Sequence, residues 1–215
     1  MIQVRPFRRD DRQAVRQICC DVADRGNPIE GIFPDREFAA DLLTSYYTDF
    51  EPESTFIAEQ DGRVIAYING CLDNRRYGLA VIFLIIPRLI LKGLVRGTFF
   101  RPECWQILKG SVRNWKRIFD WRKKSFHSHQ GHLHIGVVKE ARRHQAGHLM
   151  MERLLSYASE KGLASIAASV HEGNTEACRF FEQLGFEPKD RYLMMMADGH
   201  SLKEYHSIAY VKSIH

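Results

Sequence analysis

The chain has 215 residues with a net charge of +5, and its 45% hydrophobic and 27% charged residues favour one globular domain over a disordered or fibrous protein. Its five cysteines include no CxxC pair, which argues against a disulfide framework or a thiolate zinc site and favours a reducing, cytoplasmic setting. The most apolar run, Leu79 to Pro87, is much shorter than a bilayer requires, so the sequence predicts no transmembrane segment.

The first 72 residues predict a strand, two helices and a hairpin. A short strand over residues 2–7 leads into a helix that Asp10 or Asp11 caps, and a second helix covers Asp35 to Tyr47. Two β-rich runs, Ser54 to Glu59 and Val64 to Cys71, flank Asp61-Gly62, a dipeptide that two-residue hairpin turns favour. We expect these two runs to pair antiparallel.

Residues 73–130 differ in composition from their flanks. Between residues 75 and 124 there are 13 Lys and Arg against only Glu103 and Asp120, a net charge of 13 − 2 = +11, and all three tryptophans lie there. Arg88, Lys92 and Arg96 recur every four residues between apolar ones, which is typical of an amphipathic helix. We interpret residues 73–130 as a basic, tryptophan-containing helical insertion.

Four roles stay open for this insertion. It could pack on a sheet with solvated lysines, cover an acceptor site as a lid, contact a membrane surface through residues 79–100, or bind nucleic acid. No nucleic-acid-binding motif accompanies the charge, so no nucleic-acid partner is expected.

The last third of the chain predicts two parallel strands joined by a helix. Leu133, Ile135 and Val137 alternate with polar or small residues as in a strand, a helix starts near Gly147, and Ser165 to Val170 form the next strand. Another helix follows Asn174, and two strands follow it, near residues 192–195 and 205–211. A strand, helix and strand of this length imply a parallel pair in an otherwise antiparallel sheet, which is a mixed α/β fold.

The segment between the first of these strands and its helix suits a pyrophosphate. Free N–H groups and the positive end of a helix dipole converge there beside two arginines, and Gly147 has no side chain to keep a ligand away. A solvated basic face is the alternative interpretation. His144 and His148 are one helical turn apart but lack a third ligand, so no metal site is predicted.

These motifs resemble the GNAT superfamily of acyl-CoA-dependent N-acetyltransferases. The resemblance rests on the strand IGVV, the loop RRHQAG and the later pattern Asn174-x-x-Ala177-x-x-Phe180-Phe181-Glu182-x-x-Gly185-Phe186. It implies one domain over residues 1–215, with a largely antiparallel central sheet, a parallel pair of fourth and fifth strands, helices on both faces, and acetyl-CoA as cofactor. Two positions depart from the family pattern: Gln145 replaces a glycine of the loop, and Phe181 replaces the tyrosine that commonly protonates the departing thiolate.

The resemblance also implies cofactor contacts. The main chain of the strand at Ile135, Val137 and Val138 would hold the pantetheine arm and polarise the thioester carbonyl. Asn174 and Phe181 would lie beside the cofactor. The residues that would surround the pyrophosphate are Arg142, Arg143, Gln145, Ala146, Gly147 and His148.

The predicted reaction is the attack of a primary amine on a thioester. Freeing the lone pair of a lysine-like amine at pH 7 costs about 4–5 kcal/mol, so a general base is useful. His132 and His134 are the candidates, with packed histidines as the alternative, and Glu172 is a rival base. Tyr192 and Tyr205 could replace the missing acid.

Two functions follow from the sequence. The first is an acetyl-CoA-dependent N-acetyltransferase for the primary amine of a small molecule or peptide, acting as a monomer or homodimer. The alternative is a catalytically impaired, CoA-binding pseudo-acetyltransferase whose basic insertion binds a partner or a membrane surface.

Overall fold

The computed structural model describes residues 1–102, 104, 105, 109, 112, 131–142, 145–198 and 201–214, with backbone alone at 195–198, 201 and 202. Its strands are β1 (Ile2–Pro6), β2 (Thr55–Gln60), β3 (Arg63–Cys71), β4 (Gly131–Val137), β5 (Ser165–His171), β6 (Glu187–Asp198) and β7 (Ser201–Ser213). Its helices are α1 (Arg12–Val22), α2 (Arg36–Ser45), α3 (Asn74–Ala80), α4 (Ile86–Val95), α5 (Ala146–Glu160) and α6 (Thr175–Gln183).

The seven strands form one mixed sheet in the order β1-β2-β3-β4-β5-β7-β6. Every neighbouring pair is antiparallel except β4 and β5, which are parallel, as the sequence predicts. The turn between β2 and β3 is the expected two-residue one: Gln60 pairs with Arg63, and Asp61 and Gly62 both have positive φ, at 52° and 76°.

Helices cover both faces of the sheet. On one face, Met150 and Leu154 of α5 pack against sheet residues such as Ile68 in the main core. On the other face, Val15 of α1 packs with Tyr67 of β3. The predicted fold class is therefore confirmed, because amphipathic helices bury their apolar stripes against both surfaces of a central sheet.

The second helix is shorter than predicted. Asp35 is its N-cap and accepts a hydrogen bond from the backbone N–H of Phe38 at 3.0 Å, but α2 ends at Ser45 and a π-helical turn covers Tyr46–Phe50. This turn buries Tyr46 and Tyr47 against the insertion.

The insertion begins with one continuous helix, the insertion helix, which consists of α3, a π-helical turn at Val81–Ile85, and α4. The insertion helix has 22 residues and a mean hydropathy of 2.2 in its most apolar window, so it is long and apolar enough to cross a membrane by length and composition. The sequence prediction considered only the shorter run Leu79 to Pro87 and therefore predicted no such segment. Residues 103, 106–108, 110, 111 and 113–130 of the predicted insertion lie outside the described part of the chain.

An amphipathic helix in this position would be expected to pack its apolar side on the protein and to expose its cations to solvent. The orientation of the insertion helix differs from this expectation. Val81, Ile85 and Leu89 pack against Tyr46 and the end of β3. Two of its cations, Lys92 and Arg96, lie close to the buried carboxylate of Asp41. Most of its remaining apolar side chains are exposed.

Candidate active site

The parallel strands β4 and β5 part from each other in the middle of the sheet. Their ladder holds only two pairs, Gly131 with Ile166 and His132 with Ala167. Beyond these pairs, β4 continues unpaired with β5 to Val137, and β5 continues to His171. The space between the two separated segments is the cleft referred to below. A gap in the centre of a sheet leaves backbone groups on both edges without ladder partners.

The register shows which backbone groups face the cleft. The N–H of Val138 donates to the carbonyl of Ile65, so even-numbered residues of β4 are bonded to β3, and the N–H and C=O groups of Ile135 and Val137 point to the β5 side. On β5, the N–H of Glu172 donates to the carbonyl of His206 of β7, so the backbone of the odd-numbered residues faces β4.

The loop between β4 and α5 ends in a left-handed residue. Gln145 has φ 63° and ψ −6° and is the N-cap of α5. This backbone conformation favours glycine, which is the residue that the resemblance places here. The first helical hydrogen bond runs from the N–H of Leu149 to the carbonyl of Gln145, so the N–H groups of residues 146–148 precede the helical ladder.

Arg142 lies at this loop and contacts the turn after α1. A Cβ at Gly26 would lie 2.7 Å from both Nη1 and Nη2 of the Arg142 guanidinium, and Gly26 has φ 92°. Nearby, Lys139 donates to the side-chain carbonyl of Asn27 at 3.2 Å. The turn Asp24–Asn27 therefore packs against the loop. The predicted pyrophosphate ligand Arg143 lies outside the described residues, so its assignment stays a prediction.

The start of α5 contacts α6 through one aromatic ring. A Cβ at Gly147 would lie 3.1 Å from the ring of Phe180, and the exposed ring of His148 meets Phe180 edge-on at 5.3 Å between centroids. Ala146 is buried in the main core. Asn174 caps α6 by accepting from the backbone N–H of Ala177 at 3.2 Å.

Phe181, the residue at the usual tyrosine position, is buried in the main core. Its ring stacks on Tyr210 at 6.1 Å and meets Phe186 edge-on at 5.1 Å. Its contact with a cofactor stays a prediction. The neighbouring Phe180 is partly exposed beside Gly147 at the loop, although the sequence predicted a cofactor contact for Phe181 and none for Phe180.

His132 is held on both ring nitrogens. Its Nε2 lies 2.8 Å from the hydroxyl of Tyr47, and its Nδ1 lies 2.5 Å from Oδ1 of Asn74, the first residue of the insertion helix. Because an amide oxygen only accepts, Nδ1 donates and Nε2 accepts from Tyr47. His132 also lies where β4 and β5 are still paired. These contacts match the packed-histidine alternative.

His134 lies where the strands have parted. Its Nδ1 is 3.1 Å from the hydroxyl of Tyr67, and within the described part of the chain its Nε2 has no hydrogen-bond partner. Burial lowers the pKa of His134 to about 4, so the ring is neutral at pH 7. The two predicted bases therefore differ. Both ring nitrogens of His132 are hydrogen-bonded within the protein, whereas Nε2 of His134 can contact a ligand.

Glu172 is engaged by an arginine. Nε and Nη2 of Arg191 donate to its two carboxylate oxygens at 2.9 and 2.8 Å. These hydrogen bonds lower the pKa of Glu172, and the group is exposed. Arg191 occupies both carboxylate oxygens of Glu172, whereas within the described residues Nε2 of His134 keeps its lone pair for a proton, which favours His134 over Glu172 as the base.

The β5 side of the cleft carries a pair of hydroxyl groups. Ser169 is exposed on β5, and its Oγ is 2.5 Å from the phenol oxygen of Tyr192 on β6. The ring of the second candidate acid, Tyr205, packs instead on His171 at 5.0 Å between centroids. Ser169 and Tyr67 were missed by motif reasoning. Strand alternation could have found Ser169, because it lies two residues before His171 on the same face.

The comparisons agree with this geometry. Residues 108–186 match the model of the Acetyltransferase (GNAT) family. No curated protein sequence matches the chain. Within the described residues, no group of three or more His, Cys, Asp or Glu could hold a metal ion.

Three solved structures illustrate the likeness. A protein named SsHAT is 24% identical with a TM-score of 0.75, covering 100% of this chain and 98% of its own. Polyamine N acetyltransferase of Drosophila melanogaster, which forms N acetylagmatine, is 14% identical with a TM-score of 0.61, covering 99% and 100%. The protein yncA of Salmonella typhimurium, solved with its cofactor acetyl-CoA, is 11% identical with a TM-score of 0.57, covering 100% of this chain and 95% of its own. The chain therefore has the GNAT fold, and the resemblance of its motifs is confirmed.

Proposed function

We propose that this chain is an acetyl-CoA-dependent N-acetyltransferase that acts on the primary amine of a small molecule or peptide. The observation that carries the proposal is the parting of β4 from β5 after two paired positions. Backbone N–H and C=O groups inside a sheet need partners, and the amides of a pantetheine arm supply both donors and acceptors. The match of residues 108–186 to the GNAT acetyltransferase family supports the same chemistry.

The residues around the cleft fit this cofactor. The backbone groups of Ile135 and Val137 face the opening, where a linear diamide can extend the ladder. The N–H groups at the start of α5, with Gly147 among them, suit a diphosphate, and the guanidinium of Arg142 adds positive charge at the same loop. Asn174 at the start of α6 lies at the corresponding end of β5.

Acetyl-CoA, when bound, would supply an acetyl group as a thioester: the amine nitrogen would form a bond to the carbonyl carbon, and the bond from that carbon to sulfur would break with release of a thiolate. His134 would accept the proton from the amine nitrogen through Nε2, in the tautomer whose Nδ1 donates to the Tyr67 hydroxyl. Its low pKa keeps this nitrogen unprotonated at neutral pH. A backbone N–H of β4 that faces the cleft would stabilise charge on the carbonyl oxygen.

The hydroxyl pair Ser169 and Tyr192 would return a proton to the leaving sulfur. Phe181 has no proton to give, and Tyr192 joins the cleft edge of β5 through its hydrogen bond to Ser169. Tyr205 offers a matched control, because its ring packs on His171 instead. We expect Tyr192→Phe to lower kcat by at least about tenfold, and Tyr205→Phe to leave it within about twofold.

The test is a calorimetric titration with acetyl-CoA followed by a thiol-release assay over a panel of polyamines, arylalkylamines, amino acids and peptides. The proposal predicts stoichiometric binding and amine-dependent release. Binding without release for any amine would leave the CoA-binding pseudo-acetyltransferase, and an absence of binding would contradict both functions.

A further inference from the structure

The outer face of the insertion helix is apolar and exposed to solvent. This outer face comprises Leu79, Ile82, Phe83, Ile90, Leu91 and Leu94. Phe83 and Leu91 are 68% and 65% exposed, and Leu79 is 60% exposed. Contiguous exposed apolar surface of this kind marks a site of association.

The inner side of the same helix is fixed to the protein. Val81 and Leu89 are buried in the cluster that includes Tyr46. At the other end of the helix, Lys92 donates to the buried carboxylate of Asp41 at 2.8 Å. The helix therefore lies along the domain, and its outer face can enter a lipid surface only sideways, with the helix axis parallel to that surface.

The charge around this face is positive. From residue 74 to residue 102 the sequence contains six Lys and Arg and no Asp or Glu, namely Arg75, Arg76, Arg88, Lys92, Arg96 and Arg101. Further along, the ring of Trp105 is 48% exposed, and the Lys109 ammonium lies 5.6 Å from its centroid. Lys92 and Arg96 lie close to Asp41, and the Arg88 guanidinium lies 5.9 Å from the centroid of the Phe50 ring, so these three cations are on the side that faces the protein. Arg75 is exposed and lies one helical turn before Leu79, on the same side as the outer face. Apolar side chains with a cation beside them complement the acyl chains and anionic headgroups of a lipid leaflet.

We propose that the outer face of the insertion helix binds the surface of an anionic membrane, with Phe83 and Leu91 inserted between lipids and the exposed Arg75 at the headgroups. A nucleic acid would meet the cations but leave the apolar residues in water. This surface association is independent of acetyl transfer, and its test does not use that activity.

The experiment is flotation of the full chain with vesicles of phosphatidylcholine and phosphatidylglycerol, and with vesicles of phosphatidylcholine alone. Binding is expected to the anionic vesicles and to weaken as salt screens the headgroups. Leu91→Ser should lower the partition coefficient by about tenfold, the value of one buried leucine side chain. The same substitution at Leu149, an exposed leucine of α5, should leave it unchanged.

A charge-matched pair isolates the cationic part. Arg75→Glu should weaken binding by about tenfold. Arg63→Glu changes the net charge equally at an exposed position near the β2–β3 turn, and should have a much smaller effect. Circular dichroism of each variant confirms folding.

Three results would overturn the proposal. One is equal flotation of wild type and Leu91→Ser. Another is self-association of the wild type in sedimentation equilibrium, abolished by Leu91→Ser, together with no binding to vesicles. This result would show that the outer face binds a second copy of the chain. The third is binding to a DNA duplex in place of vesicles.

Discussion

The Nδ1 atom of His134 lies 3.1 Å from the hydroxyl of Tyr67, and a glycine on β4 makes room for this contact. Tyr67 pairs across the strands with Gly136, where a Cβ would come within 2.5 Å of the tyrosine ring. Because Gly136 has no side chain, the Tyr67 ring can lie where its hydroxyl contacts and orients His134.

Gly136→Ala is expected to push the Tyr67 ring away from His134. The overlap should lower the free energy of unfolding by about 1–3 kcal/mol and reduce kcat/KM. Gly78→Ala is the matched control, because nothing lies within 4 Å of its Cβ and the residue is helical; that variant should gain about 0.5–1 kcal/mol. Urea denaturation measures both, and equal changes in the two variants would contradict the packing argument.

His134→Gln is expected to lower kcat/KM by at least about a hundredfold while the affinity for acetyl-CoA changes little. His132→Gln should instead lower stability, because it breaks hydrogen bonds to Tyr47 and Asn74. Steady-state kinetics and thermal melts separate the two roles. If both variants kept the wild-type rate, neither histidine would be the base.

The burial of His134 also makes stability depend on pH. Its pKa is about 4 in the folded state and about 6.5 in an unfolded chain, so its contribution is complete above pH 6.5 and is lost as the pH falls toward 4. Between pH 7 and pH 5 this loss amounts to about 1–2 kcal/mol. The decrease in stability over that interval should be smaller in His134→Gln, and an equal decrease would show that the ring is not buried as a neutral group.

The parts of the fold that depend on local chemistry were predictable from the sequence. Asp61-Gly62 adopts the left-handed conformations of a two-residue turn, and a strand, helix and strand produced the parallel pair. The glycine-like conformation of Gln145 also agrees with the family pattern.

Other parts depend on contacts between distant residues. Periodicity shows that the insertion helix has two sides, but it does not show that Lys92 reaches Asp41, so the solvent-facing side was not predictable. Alternation placed His132 and His134 on one face, but their different roles come from Tyr47, Asn74 and Tyr67, which lie on other elements.

Gln145→Gly is expected to relieve the left-handed strain at the start of α5. A non-glycine residue in this conformation costs about 1 kcal/mol, so the variant should be more stable by about 0.5–1 kcal/mol and bind acetyl-CoA at least as tightly as wild type. Gln145→Val, with a branched Cβ, should change stability in the opposite direction. Chemical denaturation checks both, and a destabilised glycine variant would show that the Gln145 side chain makes a contact of its own.

The most direct test of the central claim is amide hydrogen exchange, followed residue by residue, with and without acetyl-CoA. In the free protein, the N–H groups of His134 and Gly136 are bonded to β3 and should exchange slowly, whereas those of Ile135 and Val137 face the cleft and should exchange quickly. Acetyl-CoA should slow exchange at Ile135 and Val137 specifically. Unchanged exchange at these two residues in the presence of saturating acetyl-CoA would contradict the assignment of the cleft as the cofactor site.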